Sequence, residues 1–264
     1  MGGAGALYHR IQDWEAVGPG VVAGITAVPP GAGAGSEADF GLTTGGSSRD
    51  VERRYEMLAI ATGMRSSVVA RQVHGTRIVE ADSSSGRGSR VVGEADGLVT
   101  SARGVLLAVT AADCVPVFIV DLEGRGIALL HAGWRGAAGG MLEAGLSMLK
   151  ARFGVVPADV TLYLGPSICG ACYEVGVEVL RAFHRDAAGP AKLDLRAELA
   201  QEAVRSGVSA ERVVRSQWCT RCGPVHLHSH RARGVQAGRM AAFLGLVPGR
   251  PRVAGPGAGG WELR

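Results

Sequence analysis

Aromatic residues make up only 5% of this 264-residue chain, too few for the stacking platforms that hold single-stranded nucleic acid. No uninterrupted apolar run reaches the ~18 residues that a membrane-spanning helix needs. The first residues, which include His9, Arg10, Asp13 and Glu15, lack the apolar core of a secretion signal. Blocks of like charge are also missing. The 28 basic residues exceed the 24 acidic ones by four, but they are mostly arginines scattered along the chain. That pattern argues against a polyanion-binding stripe and suits the attraction of an anionic small molecule. Cysteine is scarce and odd in number, five in all, which points to reduced thiols rather than a disulfide framework. The glycine-rich stretch from Gly31 to Ser36 has neither G-x-G-x-x-G spacing nor a Gly-Lys-Ser/Thr ending, so it is a plain loop and not a phosphate cradle. No internal repeat is visible. A cytoplasmic monomer without nucleic-acid or membrane partners is expected.

What the chain does have is apolar: 47% of its residues are hydrophobic and 20% charged, enough to bury a large core. Short runs rich in Val, Ile and Leu, bounded by Gly and Asp, predict strands over Val21–Val28, Val68–Val73, Thr76–Glu80, Val105–Thr110, Val115–Val120, Ile127–Leu130 and Val160–Leu164. Helical spacing predicts helices over Arg49–Thr62, Ala137–Phe153, Val175–His184, Leu193–Ser206 and Val235–Leu244. Ser83 to Ser89 is expected to be a surface loop. Strands and helices mix without a regular βαβ period, which favours an α+β fold. Residues 1–247 are expected to form a single domain, and 248–264, rich in Gly, Pro and Ala, a flexible tail.

Two side chains stand where strands are predicted to end. Cys114 closes Ala111-Ala112-Asp113-Cys114, and His131 opens into Gly133-Trp134-Arg135-Gly136. Buried strands hold reactive groups still and their ends expose them. Together with His74, these residues form a candidate zinc site of two imidazoles and a thiolate, with the fourth position open for water or substrate. The separations of 40 and 17 residues match no zinc-finger pattern, and singly such residues are ordinary core packing. From residue types alone, other arrangements stay open. Cys114 is a nucleophile and His131 its base in a cysteine hydrolase or deamidase. Two histidines and a cysteine also suit a copper centre, and a zinc ion can simply clamp a binding protein.

Cys169-Gly-Ala-Cys172 and Cys219-Thr-Arg-Cys222 are two C-x-x-C words. The 46 residues between them exceed the usual zinc-ribbon spacing, so they are expected to be unpaired thiols, dispensable for catalysis. His226, His228 and His230 alternate and are expected to form a surface histidine strip.

The words around the triad add a resemblance. Gln72-Val73-His74-Gly75, Ala95-Asp96-Gly97-Leu98-Val99-Thr100, Ala111-Ala112-Asp113-Cys114-Val115-Pro116-Val117, His131-Ala132-Gly133-Trp134-Arg135-Gly136, Leu164-Gly165-Pro166-Ser167-Ile168 and Cys172-Tyr173-Glu174-Val175-Gly176 occur in this order. Together they resemble the YfiH/YlmD family, variously called polyphenol oxidase (laccase-like) or purine nucleoside phosphorylase and related to human laccase domain-containing protein 1. The likeness runs from about Val21 to Leu244. It implies a single α/β/β/α layered domain with zinc held by His74, Cys114 and His131. It also implies phosphorolysis of adenosine, inosine, guanosine and methylthioadenosine, with deamination of adenosine, and so a purine nucleoside and phosphate as partners. Copper, with phenol oxidation, is the less favoured metal, because a multicopper oxidase needs more histidines than the seven present. Arg54 and Arg135 are candidate anion contacts, and Gln72 and Asp113 flank the metal ligands. The chain departs from the family where an Asn-Leu-Gly segment reads Gly41-Leu42-Thr43, where an Asn-Arg pair reads Arg53-Arg54, and where Phe-Ser-Tyr-Arg-Arg reads Leu227-His228-Ser229-His230-Arg231. These changes bear on substrate preference and leave the triad intact.

Overall fold

The computed structural model describes residues 8–11, 20–44, 47–82, 86 and 88–249. In chain order the first half gives β1 (Tyr8–Arg10), β2 (Val21–Thr26), α1 (Ser48–Ala61), β3 (Ser66–Arg71), β4 (Ile78–Glu80), β5 (Gly88–Glu94), β6 (Gly97–Thr100), β7 (Val105–Ala111), β8 (Val115–Asp121) and β9 (Ile127–Ala132). The second half gives α2 (Trp134–Ala138), α3 (Met141–Phe153), β10 (Val160–Leu164), β11 (Glu174–Val175), α4 (Val177–Ala182), β12 (Ala191–Lys192), α5 (Leu195–Arg205), β13 (Val213–Arg215), α6 (His230–Arg233) and β14 (Met240–Leu246).

Twelve strands form two six-stranded mixed sheets, ordered β1-β2-β14-β7-β3-β5 and β13-β10-β8-β9-β6-β4, and β11 pairs with β12 apart from both. Period-two side-chain alternation explains how the layers stack. In β7, Leu107 and Val109 join Val68, Leu244, Phe118, Val120 and Leu129 in the layer between the sheets. Leu106 and Ala108 point the other way, onto Val51, Tyr55 and Leu58 of α1. In β8, Val117 and Ile119 face Leu142, Leu146 and Leu199 of α3 and α5. Helix, sheet, sheet, helix is the resulting order, and the α+β class with mixed sheets expected from the sequence is the one found.

Several local expectations need correction. The single helix over Ala137–Phe153 is two, α2 and α3, because Gly139 and Gly140 break it, with Gly140 at φ 82°. The helix expected over Val235–Leu244 is not formed. Val235 lies in a short 3-10 turn, Gly234–Gln236, and Met240–Leu246 is a wholly buried strand between β2 and β7. An Ala-containing apolar run is ambiguous between helix and buried strand, and pairing on both sides decides it. Gly88 and Ser89 begin β5 instead of ending a loop, while 83–85 and 87 lie outside the described residues. Of the expected tail, 250–264 lies outside them too.

Candidate active site

Three times the chain leaves the β3-containing sheet and enters the β9-containing one: from β3 to β4, from β5 to β6, and from β7 to β8. His74 sits in the first crossing, Asp96 in the second and Cys114 in the third. His131, near the end of β9, lies beside them. The donor atoms of His74, Cys114 and His131 all fall within 4.8 Å of one another, and the two imidazoles meet edge to face at 4.9 Å. Residues far apart in sequence are thus brought together by the crossings between sheets.

Asp96 organises the group. Its buried carboxylate accepts the backbone N–H groups of Val73 (3.1 Å), His74 (2.9 Å) and Gly75 (2.8 Å), and pairs at 2.9 Å with Nδ1 of His131. These bonds hold the His74 loop in shape, and His74 itself adopts φ 60°, a conformation that side chains other than Gly rarely take without support. Burial pushes the Asp96 carboxyl up, but hydrogen bonds from His131 and the backbone outweigh it and keep it below the usual range. Asp96 lies in the 95–100 segment, and its role shows only once the crossings meet.

Cys114 and His131 are coupled. Burial alone raises the Cys114 thiol; the charge and hydrogen bond of His131, then His74, bring it down to about 6. Burial alone lowers His131; the Cys114 thiolate and Asp96 hold it at about 9. In the metal-free chain the pair is therefore thiolate and imidazolium near neutrality. Gly133 leaves room for this arrangement, since a Cβ there would lie 3.0 Å from Cys114 Sγ and 3.1 Å from His74 Cδ2. Two nitrogens and a sulfur with the fourth side free suit a zinc ion in a catalytic setting.

The triad lies at a cavity of about 430 Å³ that Gln72, Thr110, Asp113, Tyr173, Arg231 and Arg239 also line, a volume suited to a small organic ligand. Gln72 is fixed to Thr110, donating to its carbonyl at 2.8 Å and accepting its N–H at 2.7 Å. Asp113, at φ 92°, accepts the hydroxyls of Thr220 (2.5 Å) and Ser229 (2.7 Å) and the N–H of Arg231 (2.6 Å). With its carboxylate so occupied, Asp113 positions the wall. Arg54 and Arg135 do not line this cavity. Arg54 donates to the Asp39 carbonyl at 2.5 Å, behind the 41–43 segment, and Arg135 is exposed and stacks over Trp134 at 4.2 Å. Arg71, Arg231 and Arg239 line the cavity instead. Arg231 closes the Leu227–Arg231 stretch, one of the departures noted in the sequence. The expected histidine strip is not a surface strip: no strand forms there, and His228 is buried between exposed His226 and His230. A larger cleft, about 620 Å³, lies among α3, α4 and α5 and holds none of the triad.

Comparison with known proteins places these features in context. Residues 30–247 match a family described as multi-copper polyphenol oxidoreductase laccase. The chain is 37% identical over 163 residues to adenosine deaminase RL5 from an unknown prokaryotic organism, spanning 57% of this chain and 61% of that protein. It is 33% identical over 247 residues to purine nucleoside phosphorylase YlmD of Geobacillus stearothermophilus, covering 86% of this chain and 90% of that one. The crystal structure of a hypothetical protein YfiH from Bacillus licheniformis superposes with a TM-score of 0.79 at 27% identity, covering 92% of this chain and 97% of that one.

Proposed function

The chain belongs to the YfiH/YlmD family, whose model is described as multi-copper polyphenol oxidoreductase laccase, and from that membership we propose that it is a zinc-dependent purine nucleoside phosphorylase with adenosine deamination as a second activity. The observation that carries this is the three-donor site of His74, Cys114 and His131 opening into a cavity that Arg71, Arg231 and Arg239 line. When bound, zinc supplies a Lewis acid that polarises an oxygen in the open fourth position. The chain's own residues then account for the rest of the chemistry. Arg231 and Arg239 hold the phosphate against the sugar. Its oxygen forms a bond to the anomeric carbon while the glycosidic carbon–nitrogen bond breaks, and the electron pair leaves on the purine, which takes up, by way of solvent, the proton that the hydrogen phosphate gives up. Tyr173 keeps its hydroxyl proton: burial first, then the nearby Cys114 charge, raise it to about 12. It thus serves as a hydrogen-bond donor to the purine rather than as a base. Asp113 fixes the Arg231 backbone, and Asp96 fixes both histidines.

A single histidine-containing cluster is found among the described residues, which favours a one-ion site over a multicopper centre. The thiolate–imidazolium pair of Cys114 and His131 favours a second reading, a cysteine hydrolase or deamidase that works without metal. Inosine separates these outcomes, because it carries no exocyclic amine to lose. Zinc-loaded protein should release hypoxanthine only when phosphate is present and yield ribose 1-phosphate. Adenosine should also give inosine independently of phosphate. Inosine left intact at every phosphate concentration, with a phenol oxidised only by copper-loaded protein, would overturn the proposal in favour of the oxidase. Turnover that survives complete metal removal would favour the cysteine hydrolase.

A further inference from the structure

Four cysteines remain outside this site, and the structure gathers them. β10 and β13 are parallel neighbours, with Leu164 opposite Arg215, so the chain leaves both strands side by side. An isolated bridge between Ser167 and Cys219 extends the pairing. The long sequence gap between the two C-x-x-C words therefore closes in space, while the thiols are free of disulfides. Each word makes a tight turn. The Cys172 N–H donates to the Cys169 carbonyl at 2.9 Å, and the Gly223 N–H to the Cys219 carbonyl at 2.9 Å. At Gly223 a Cβ would lie 2.4 Å from the Cys219 carbonyl oxygen, so only glycine closes that turn. Two backbone N–H groups, of Cys169 (3.3 Å) and Arg221 (3.4 Å), point at Cys219 Sγ, as they do when a sulfur carries negative charge.

The four sulfurs lie within 4.8 Å of one another. None is in a disulfide. Cys169 Sγ and Cys222 Sγ are 3.9 Å apart. A tetrahedral ion with bonds of ~2.3 Å sets its sulfurs about 3.8 Å apart, so the cluster has the size of a four-thiolate site. We propose that Cys169, Cys172, Cys219 and Cys222 bind one zinc ion as a closed structural centre, separate from the His74, Cys114 and His131 site. Four soft donors select zinc over magnesium or manganese and leave no open position for chemistry. Exposed Cys222 gives the ion a way in, and each thiol releases its proton to solvent on binding.

The placement gives the centre a purpose. Thr220, inside the second word, donates its hydroxyl to Asp113. Tyr173, directly after the first word, lines the cavity. One ion would pin both loops and so fix one wall of the active-site cavity from outside.

Metal content tests the proposal. The wild-type chain should carry about two zinc ions, and Cys114→Ala should keep about one, held by the four thiols. Cys169→Ser/Cys222→Ser should also keep about one, and all three substitutions together should leave none. Cobalt loaded into the Cys114→Ala chain should show the intense sulfur charge-transfer absorption of a four-thiolate tetrahedral ion. That measurement leaves all four cysteines intact, so it decides the matter even if the double serine chain fails to fold. A metal-free Cys114→Ala chain, a cobalt spectrum with fewer thiolates, or a Cys169–Cys222 disulfide would each overturn it. The Cys114→Ala arm removes the proposed catalytic centre, so these results do not depend on the proposed activity.

Discussion

Asp96 bonds both the His74 loop and His131, and through His131 it bears on the protonation of the Cys114 sulfur at second hand. His131 holds its proton up to about 9 because the Cys114 thiolate and then Asp96 oppose the effect of its burial. Asp96→Asn removes one of those supports, so the imidazolium is less favoured and the thiolate loses its counter-charge. The Cys114 thiol should then titrate above the value of about 6 expected with Asp96 present. The thiolate ultraviolet absorbance of metal-free protein, taken as a difference against Cys114→Ser, reads this directly. An unmoved midpoint would remove Asp96 from the account. Zinc affinity should also fall, by roughly 10–100-fold for the loss of a residue that orients ligands. The sign with pH follows from the same pair. Below about 6 the metal must displace protons from both groups, between about 6 and 9 only from His131, so affinity rises with pH and levels off near 9. Of this, the sequence marked His74, Cys114 and His131 through their flanking words. It could not disclose that Arg54 donates to the Asp39 carbonyl outside the cavity lining while Arg231 and Arg239 line it, because that depends on where loops far apart in the chain come to rest.

At the scale of elements, legibility followed burial pattern. β7, β8 and β9 were readable because each is a short run of β-branched and aliphatic residues between Gly or Asp, and α1 and α5 because one face only is apolar. β14 was not, since its run of Met, Ala, Phe, Leu and Gly lacks β-branched residues and fits either state. The proximity of the two C-x-x-C words was not legible either, because linear spacing does not show that neighbouring parallel strands bring two loops to one place. The strand assignment carries a stability consequence. Phe243 is fully buried, meets Tyr8 edge to face at 5.2 Å, and fills the space above Gly24. Phe243→Ala should lower unfolding free energy by about 3–5 kcal/mol, measured from denaturant midpoints. Val235→Ala, at a position 89% exposed, should change it by less than about 0.5 kcal/mol. A helix over this segment would instead have made the two changes comparable.

Taken whole, the molecule has a core that does not depend on metal. Three apolar layers, one between the sheets and one under each helical face, are continuous without the triad. Thermal unfolding of chelator-stripped protein should therefore remain one cooperative transition at a lowered midpoint, as scanning calorimetry would show. A broad, non-cooperative melt would mean instead that metal clamps the fold. Asp113, described above as a fixed point of the cavity wall, has a further consequence in time. Its bond to Arg231 spans 118 residues, and β14, which joins β2 to β7, is made later still. During synthesis His74, Cys114 and His131 emerge long before the partners that fix the wall, and the first sheet must wait with β2 and β7 unjoined. Contacts of such long sequence separation fold slowly, and open strand edges invite pairing with other chains. The nascent chain thus holds reactive sulfur and unpaired backbone in the open until its C-terminal strand arrives, which makes that strand the step on which safe maturation turns.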